Sequence, residues 1–535
     1  MKKFHLLVVL GSMAWSSVFA SASWRDEPPR PVFDEKPGLV DFYYKAWEMA
    51  HARIDNLPGM PVPRYMDEAH MSNRIWIWDT CFMAHFCKYC PREFPGIESL
   101  ENFYAVLLND GRRPLPKVLG NAYSGDDCGK MVELKIHHPD NPPLFAWTEY
   151  AYALQTGDRA RLTKVYAQTR WLQKWYELFD SFDPAAPKPY GGFMRVTAKK
   201  TEDGFHWGGY SSGMDNTPRG RKGAFDPGDP RCCPNDPDLL WVDALAQQGL
   251  SALYLSRIAS LLGLEDDVKM WRQRYVAIRD KVNSLYWNES DGVYYDVRAS
   301  DRSQCKVMTI AAFWPLLAEM PEAKNARRLM AHLENEKTLG GVVPAVSLSR
   351  SDPDFNPLGE YWRGSVWLPG AYMAIKAVDA AGDFALARRC SRKLLFHMYR
   401  TFELYEPHSI WECYSPTEAR PARKTQDPSK NAMSERYRDV KPDFCGWSAL
   451  GPISIFLEDV IGIKEANAFA KTLVCDFEKR PLGRVGVENY RFGDVVCSVV
   501  ATERQLVVQS NRPFVLVADG SRRAIEPGKT VIDRR

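Results

Sequence analysis

Two carboxylates stand out by their neighbours. Asp215 lies in "GMDNTPRG" (213–220), directly after the aromatic run "FHWGGYSS". Glu412 lies in "SIWECYSPTEARP" (409–421), between Trp411 and Tyr414. Gly and Pro break both stretches, so neither reads as a helix interior. Locally, Asp-Asn-x-Pro is an ordinary turn, because Asx side chains bond their own backbone. A loop Glu is likewise an ordinary solvated residue. As a pair they can do more. Glycoside hydrolysis needs one carboxylic acid to protonate the leaving oxygen and a second carboxylate to act on water or on the anomeric carbon. Apolar walls favour an acid of raised pKa. Trp and Tyr supply such walls and offer flat faces to sugar rings.

Three further stretches combine aromatics with charged or amide groups. "RIWIWDTCFMAHF" carries Arg74, Trp76, Trp78 and Asp79, and is equally a helix start with an acid in its first turn. "HHPDNPPLFAW" carries His137, His138 and Asn141 before two prolines that suit a helix entrance. The two His have no third ligand at metal spacing, so no metal site is expected. "GEYWRGSVW" carries Glu360, Tyr361, Trp362, Arg363 and Trp367. The Arg fork can bind a carboxylate or fix one nearby.

These loops sit between helical patterns that recur in pairs. The clearest is 236–289, where Leu240, Ala244, Leu250, Leu253 and Ile258 keep helical spacing, followed by Val268, Trp271, Tyr275, Ile278 and Val282. "GLEDD" between them supplies a C-terminal Gly and acids for the next helix start. Similar pairs are predicted over 142–179, 307–335 and 364–402, with further helices near 38–56, 77–90, 97–108 and 444–461. About a dozen helices without a strict repeat suit a closed α/α toroid over 23–463, one helix of each pair inside and one outside. From 464 the pattern becomes Val-rich and alternating, predicting a small C-terminal β module over 464–535. The Pro-rich segment 23–38 reads as an irregular leader.

The bulk numbers restrict the function class. The chain has 535 residues, 45% apolar and 26% charged, with a net charge of +3 from mixed signs. That balance gives no ground for a nucleic-acid partner. Lys2 and Lys3, an apolar run to Ala20 and the small-residue end "FASAS" have the order of a secretory signal peptide over 1–22. Export to the periplasm or beyond is expected, with no membrane span in the mature chain. Most of the twelve Cys are expected as free buried thiols, with a pair or two bridged.

"GMDNTPRG", "GEYWRGSVW", "WECYSP", "NPPLFAW" and "FCGW" resemble motifs of the (α/α)6 glycosidases of clan G, glycoside hydrolase families 63 and 37. They are most similar to the bacterial mannosylglycerate-hydrolase-like group of family 63. The resemblance runs over roughly 40–461, with the motifs in the same order. It implies a mainly α fold, the (α/α)6 toroid, and an inverting hydrolase of α-linked glucose- or mannose-type sugars that needs no cofactor. It implies Asp215 as general acid and Glu412 as general base, about 6.5–9.5 Å apart with room for a water. Trp78, Asp79, Asn141, Tyr361, Trp362, Arg363, Trp367 and Trp447 match residues that line the terminal-sugar pocket. Trp207, Arg219 and Tyr414, from the same stretches, complete the candidate substrate-binding set. An oligosaccharide or small glycoside is the expected partner. The chain departs from the family pattern at Asn141, where Gln is usual, and after Glu412, where a Gly is missing and a polar tract runs to 441. Two other classes fit the toroid: a rhamnosidase, uronyl hydrolase or polysaccharide lyase, and a glycan-binding toroid without turnover.

Overall fold

The structure, a computed structural model, describes residues 24–58, 60–68, 75–108, 138–185, 196–220, 236–427 and 429–534. The signal-peptide segment, Arg74 and His137 lie outside the described residues.

The helices close into an (α/α)6 toroid with an inner and an outer layer. The pair Val242–Leu262 and Glu265–Leu285 shows the division. The first is buried along most of its length, while the second buries only Trp271 and Val282 fully. Its charged outer face keeps its polar groups in water, so the sequence's apolar stripe is enough to dock it. Gly263 joins them at φ +77, a left-handed helix end that Gly adopts without strain. Helices Ile77–Cys87 and Gly451–Ile461 are buried at every position and lie in the inner layer. Such all-round burial explains why their sequences show little amphipathic periodicity.

Two expectations differ. The 307–320 stretch makes only the 3-10 turn Ile310–Phe313 and the short helix Trp314–Leu317. Pro315 is tolerated only in a first turn, which forces the helix to begin there. Glu319 then turns left-handed at φ 57 and ends it. The leader is not irregular throughout: Arg30–Phe33 is a strand, antiparallel to Val485–Phe492.

That strand edges a five-stranded sheet whose other members are Val485–Phe492, Val495–Ala501, Gln505–Ser510 and Gly528–Asp533. A four-stranded sheet, Ile463–Asn467, Thr472–Cys475, Phe514–Ala518 and Ser521–Ile525, accompanies it. The alternating Val pattern follows from strands with one face toward a core. Polar contacts dock these sheets on the toroid. Lys464 Nζ donates to Asp379 at 2.8 Å and pairs with Asp459, and Tyr490 donates to Gln155 at 3.1 Å.

All nine described cysteines are unbridged, including the Cys87/Cys90 pair, so the expected bridges are absent among the described residues. No described helix is long and apolar enough to cross a membrane.

Candidate active site

Asp215 occupies a turn closed by the Thr217 N–H on the Met214 carbonyl, 3.1 Å. The turn follows the short helix Gly209–Ser212, which ends on Gly213 at φ +79. Gly213 is needed twice over. Its backbone is left-handed, and a Cβ there would come within 2.7 Å of the Trp78 indole. Trp78 therefore lies directly on the backbone that leads into Asp215.

The next residue, Asn216, ties this turn to the Glu360–Arg363 segment. Its Oδ1 accepts from the Trp362 N–H at 2.7 Å, and its Nδ2 donates to Glu360 Oε2 at 3.1 Å. Its own carbonyl accepts from Arg363 Nε at 3.2 Å. Glu360 and Tyr361 are held at φ 29 and 60, a region that costs a bulky side chain on the order of 1–3 kcal/mol. The Asn216 bonds, with Thr425 Oγ1 donating to Glu360 Oε1 at 2.8 Å, hold that conformation.

The strained turn aims Tyr361 at the second carboxylate. Its hydroxyl donates to Glu412 Oε1 at 2.9 Å. Burial, then the Glu412 and Asp215 carboxylates, push that hydroxyl well above the ordinary tyrosine range, so it remains a donor. Glu412 is fully buried. Its Oε2 accepts from the Lys441 N–H at 3.1 Å and lies 3.6 Å from Lys424 Nζ. Its backbone carbonyl accepts from Trp447 Nε1 at 3.0 Å.

Aromatic rings form the wall between these loops. Trp362 stacks on Trp367 with centroids 4.4 Å apart and planes 3° from parallel. Trp78 stands 6.1 Å from Trp362, and Trp447 5.6 Å from Trp367. Asp79, in the first turn of Ile77–Cys87, is buried beside them. Burial first, and then the Asp215 charge, pushes its carboxyl well above the usual range. Trp78, Asp79, Asp215, Tyr361, Trp362, Arg363, Trp367, Glu412 and Trp447 are thus brought together from separate parts of the chain.

Three of the expected sugar contacts have their polar groups committed within the protein, and a fourth, Asn141, in part. Arg219 is 1% exposed and commits its whole fork to Asp243 and Asp296, at 2.6–2.8 Å, with Met214 Sδ at 3.8 Å. It anchors the Asp215 turn to the start of Val242–Leu262 and has no donor left for a sugar. Trp207, also 1% exposed, spends its N–H on the Asp140 carbonyl at 3.0 Å. Tyr414 is buried and its hydroxyl accepts from the Trp411 N–H at 3.2 Å. Asn141 is buried and its Nδ2 donates to the Ser211 carbonyl at 2.9 Å, which fixes the helix before Asp215. Arg219, Trp207 and Tyr414 are supports of the loops, whereas Asn141 commits its Nδ2 and leaves its Oδ1 without a hydrogen-bond partner among the described residues.

Lys424, Thr425 and Asn216 join the site without being singled out by the motifs. Asn216 stood inside the quoted Asp215 motif. Lys424 and Thr425 had no comparable signal, because their place depends on Arg423–Thr425 pairing with Tyr437–Asp439. Among the described residues no group of His, Cys, Asp and Glu could hold a metal ion.

Known proteins share this frame. The family model of the mannosylglycerate hydrolase MGH1-like glycoside hydrolase domain matches residues 74–437, more than half of the chain. The chain belongs to this glycoside hydrolase family. An uncharacterized protein of Borreliella burgdorferi is 26% identical over 387 residues, covering 72% of this chain and 71% of that one. Among solved structures, the family 63 mannosylglycerate hydrolase of Thermus thermophilus in complex with glucose superposes with a TM-score of 0.52 at 19% identity. That match covers 77% of this chain and 99% of the other. A protein described as a sialidase superposes at 0.60 with 12% identity, over 95% of this chain but only 40% of its own length. At such identities the two structures speak for the fold alone.

Proposed function

We propose that the protein hydrolyses an α-linked glucose- or mannose-type glycoside with inversion at the anomeric carbon. Asp215 donates its proton to the glycosidic oxygen. Glu412 takes a proton from the water that attacks the opposite face of the sugar. The observation that carries this reading is Tyr361. Its hydroxyl donates to Glu412 and lies near enough to Asp215 to feel its charge, so the two carboxylates stand near one tyrosine hydroxyl. The Trp78 and Trp447 rings, the more exposed members of the wall, suit a sugar ring, with the Trp362–Trp367 stack behind them, and the wall keeps bulk water away from the bond to be broken. Asp79, whose carboxyl burial pushes well above its usual range, lies beside Trp78 in the same wall, within reach of a sugar hydroxyl.

The test is a screen of aryl and natural α-glycosides with wild type, Asp215→Asn and Glu412→Gln. Either substitution should lower kcat by about 10³-fold or more while melting and sugar binding persist. Near-normal turnover in either variant removes its role. Sugar retention by wild type without any released product would instead mark a binding protein.

A further inference from the structure

A general base must be held in place to meet its water, and the Glu412 carboxylate is fully buried, so its neighbours decide how it is held. Several titratable groups face it. Tyr361 comes from the strained turn, and its hydroxyl is held neutral by burial. Cys413 adjoins it, and burial together with the Glu412 charge pushes that thiol well up, so it too is neutral. Lys441 offers its backbone N–H. Across the wall stand Asp215, whose charge Tyr361 feels, and Asp79, which burial pushes toward its neutral form. Arg363 turns toward Glu360 and Asn216. Lys424 is the cation at ion-pair distance of Glu412 among the described residues.

We propose that Lys424 is the positioning residue of the base: its ammonium, 3.6 Å from Glu412 Oε2 and 5.1 Å from the Tyr361 ring centroid, sets a positive charge beside the buried carboxylate and holds it aligned. The inference rests on the role given to Glu412. At 3.6 Å the contact is one of charge and lies beyond a good hydrogen bond. Oε2 therefore keeps acceptor capacity for a water. The hairpin that carries Lys424 is itself locked into the site. Thr425 bonds Glu360 Oε1, and Asn216, beside Asp215, bonds Glu360 Oε2. The polar tract that departs from the family pattern thereby supplies part of the catalytic apparatus.

The experiment compares pH profiles of kcat and kcat/KM for the full chain and its Lys424→Met, Lys424→Arg and Glu412→Gln variants, on 4-nitrophenyl α-glucoside and α-mannoside. Loss of the cation should lower kcat at pH 7 about tenfold or more, with KM nearly unchanged. The acid limb of kcat/KM should move to higher pH by about one unit, because an ionised carboxylate without its counter-charge is harder to form. Lys424→Arg should restore the limb and most of the rate, which a role in folding alone does not predict. An unshifted limb with kcat within about twofold in Lys424→Met, beside an inactive Glu412→Gln, overturns the Lys424 assignment and leaves the base in place. An active Glu412→Gln, or a wild type inert toward α-glycosides, overturns the parent reading and this one with it.

Discussion

Arg219 and Glu412 are both buried charges with an opposite charge beside them, and they differ in how many polar atoms are already committed. Arg219 gives every donor of its fork to Asp243, Asp296 and the Met214 sulfur. Asp296 also accepts the Val242 N–H at 2.9 Å, so the cluster closes on itself. Glu412 accepts one hydrogen bond on each oxygen, from Tyr361 and from Lys441. A carboxylate offers about four lone-pair sites, which leaves about two. The first arrangement fixes a turn. The second holds an oxygen in place and leaves it able to bind a water. In this molecule the saturated ion pair is structural and the unsaturated carboxylate is the candidate for chemistry, a distinction that burial alone does not draw.

The contrast can be broken on the structural side first. Arg219→Met leaves two buried carboxylates without their counter-charge and should cost about 3–5 kcal/mol in chemical unfolding. Lys424→Met should cost far less stability. A loss below about 1 kcal/mol for Arg219→Met would show that the cluster is not what anchors the Asp215 turn.

A smaller effect should appear on the Glu412 side under acid. His397, on the helix Phe384–Leu404, donates its Nε2–H to the Ser415 carbonyl at 2.9 Å and so braces the segment carrying Glu412. Burial pulls its pKa down from 6.5 to about 4. The unfolded chain therefore binds more protons between those values. The stability this neutral ring contributes is present above about pH 6.5 and is lost as the pH falls toward about 4, on the order of 3 kcal/mol in all. Urea unfolding of wild type and His397→Gln across that window should show the difference between them shrinking as the pH falls. A constant difference would contradict the burial-driven shift of the ring.

Much of the frame was legible in the sequence because it is local. The hairpin 236–289 announces itself by its spacing, its Gly263 and its acidic second start. The Asp215 turn is written in "GMDNTPRG". What escaped depends on distant pairing. Arg219 looked like a sugar ligand because Asp243 and Asp296, 24 and 77 residues away, give no sign of meeting it. Lys424 was hidden in a polar tract whose hairpin only the strand register Arg423↔Asp439 reveals. Arg30–Phe33 looked like a leader because its partner strand lies at 485–492.

The central claim is that Asp215 and Glu412 act on opposite faces of the scissile bond, with a water between Glu412 and the sugar. Proton NMR of the first anomer released from an α-glycoside, recorded before mutarotation, tests it most directly. The β-anomer should appear first. An α-anomer first would contradict the claim, because retention requires a nucleophile in the role proposed here for a base.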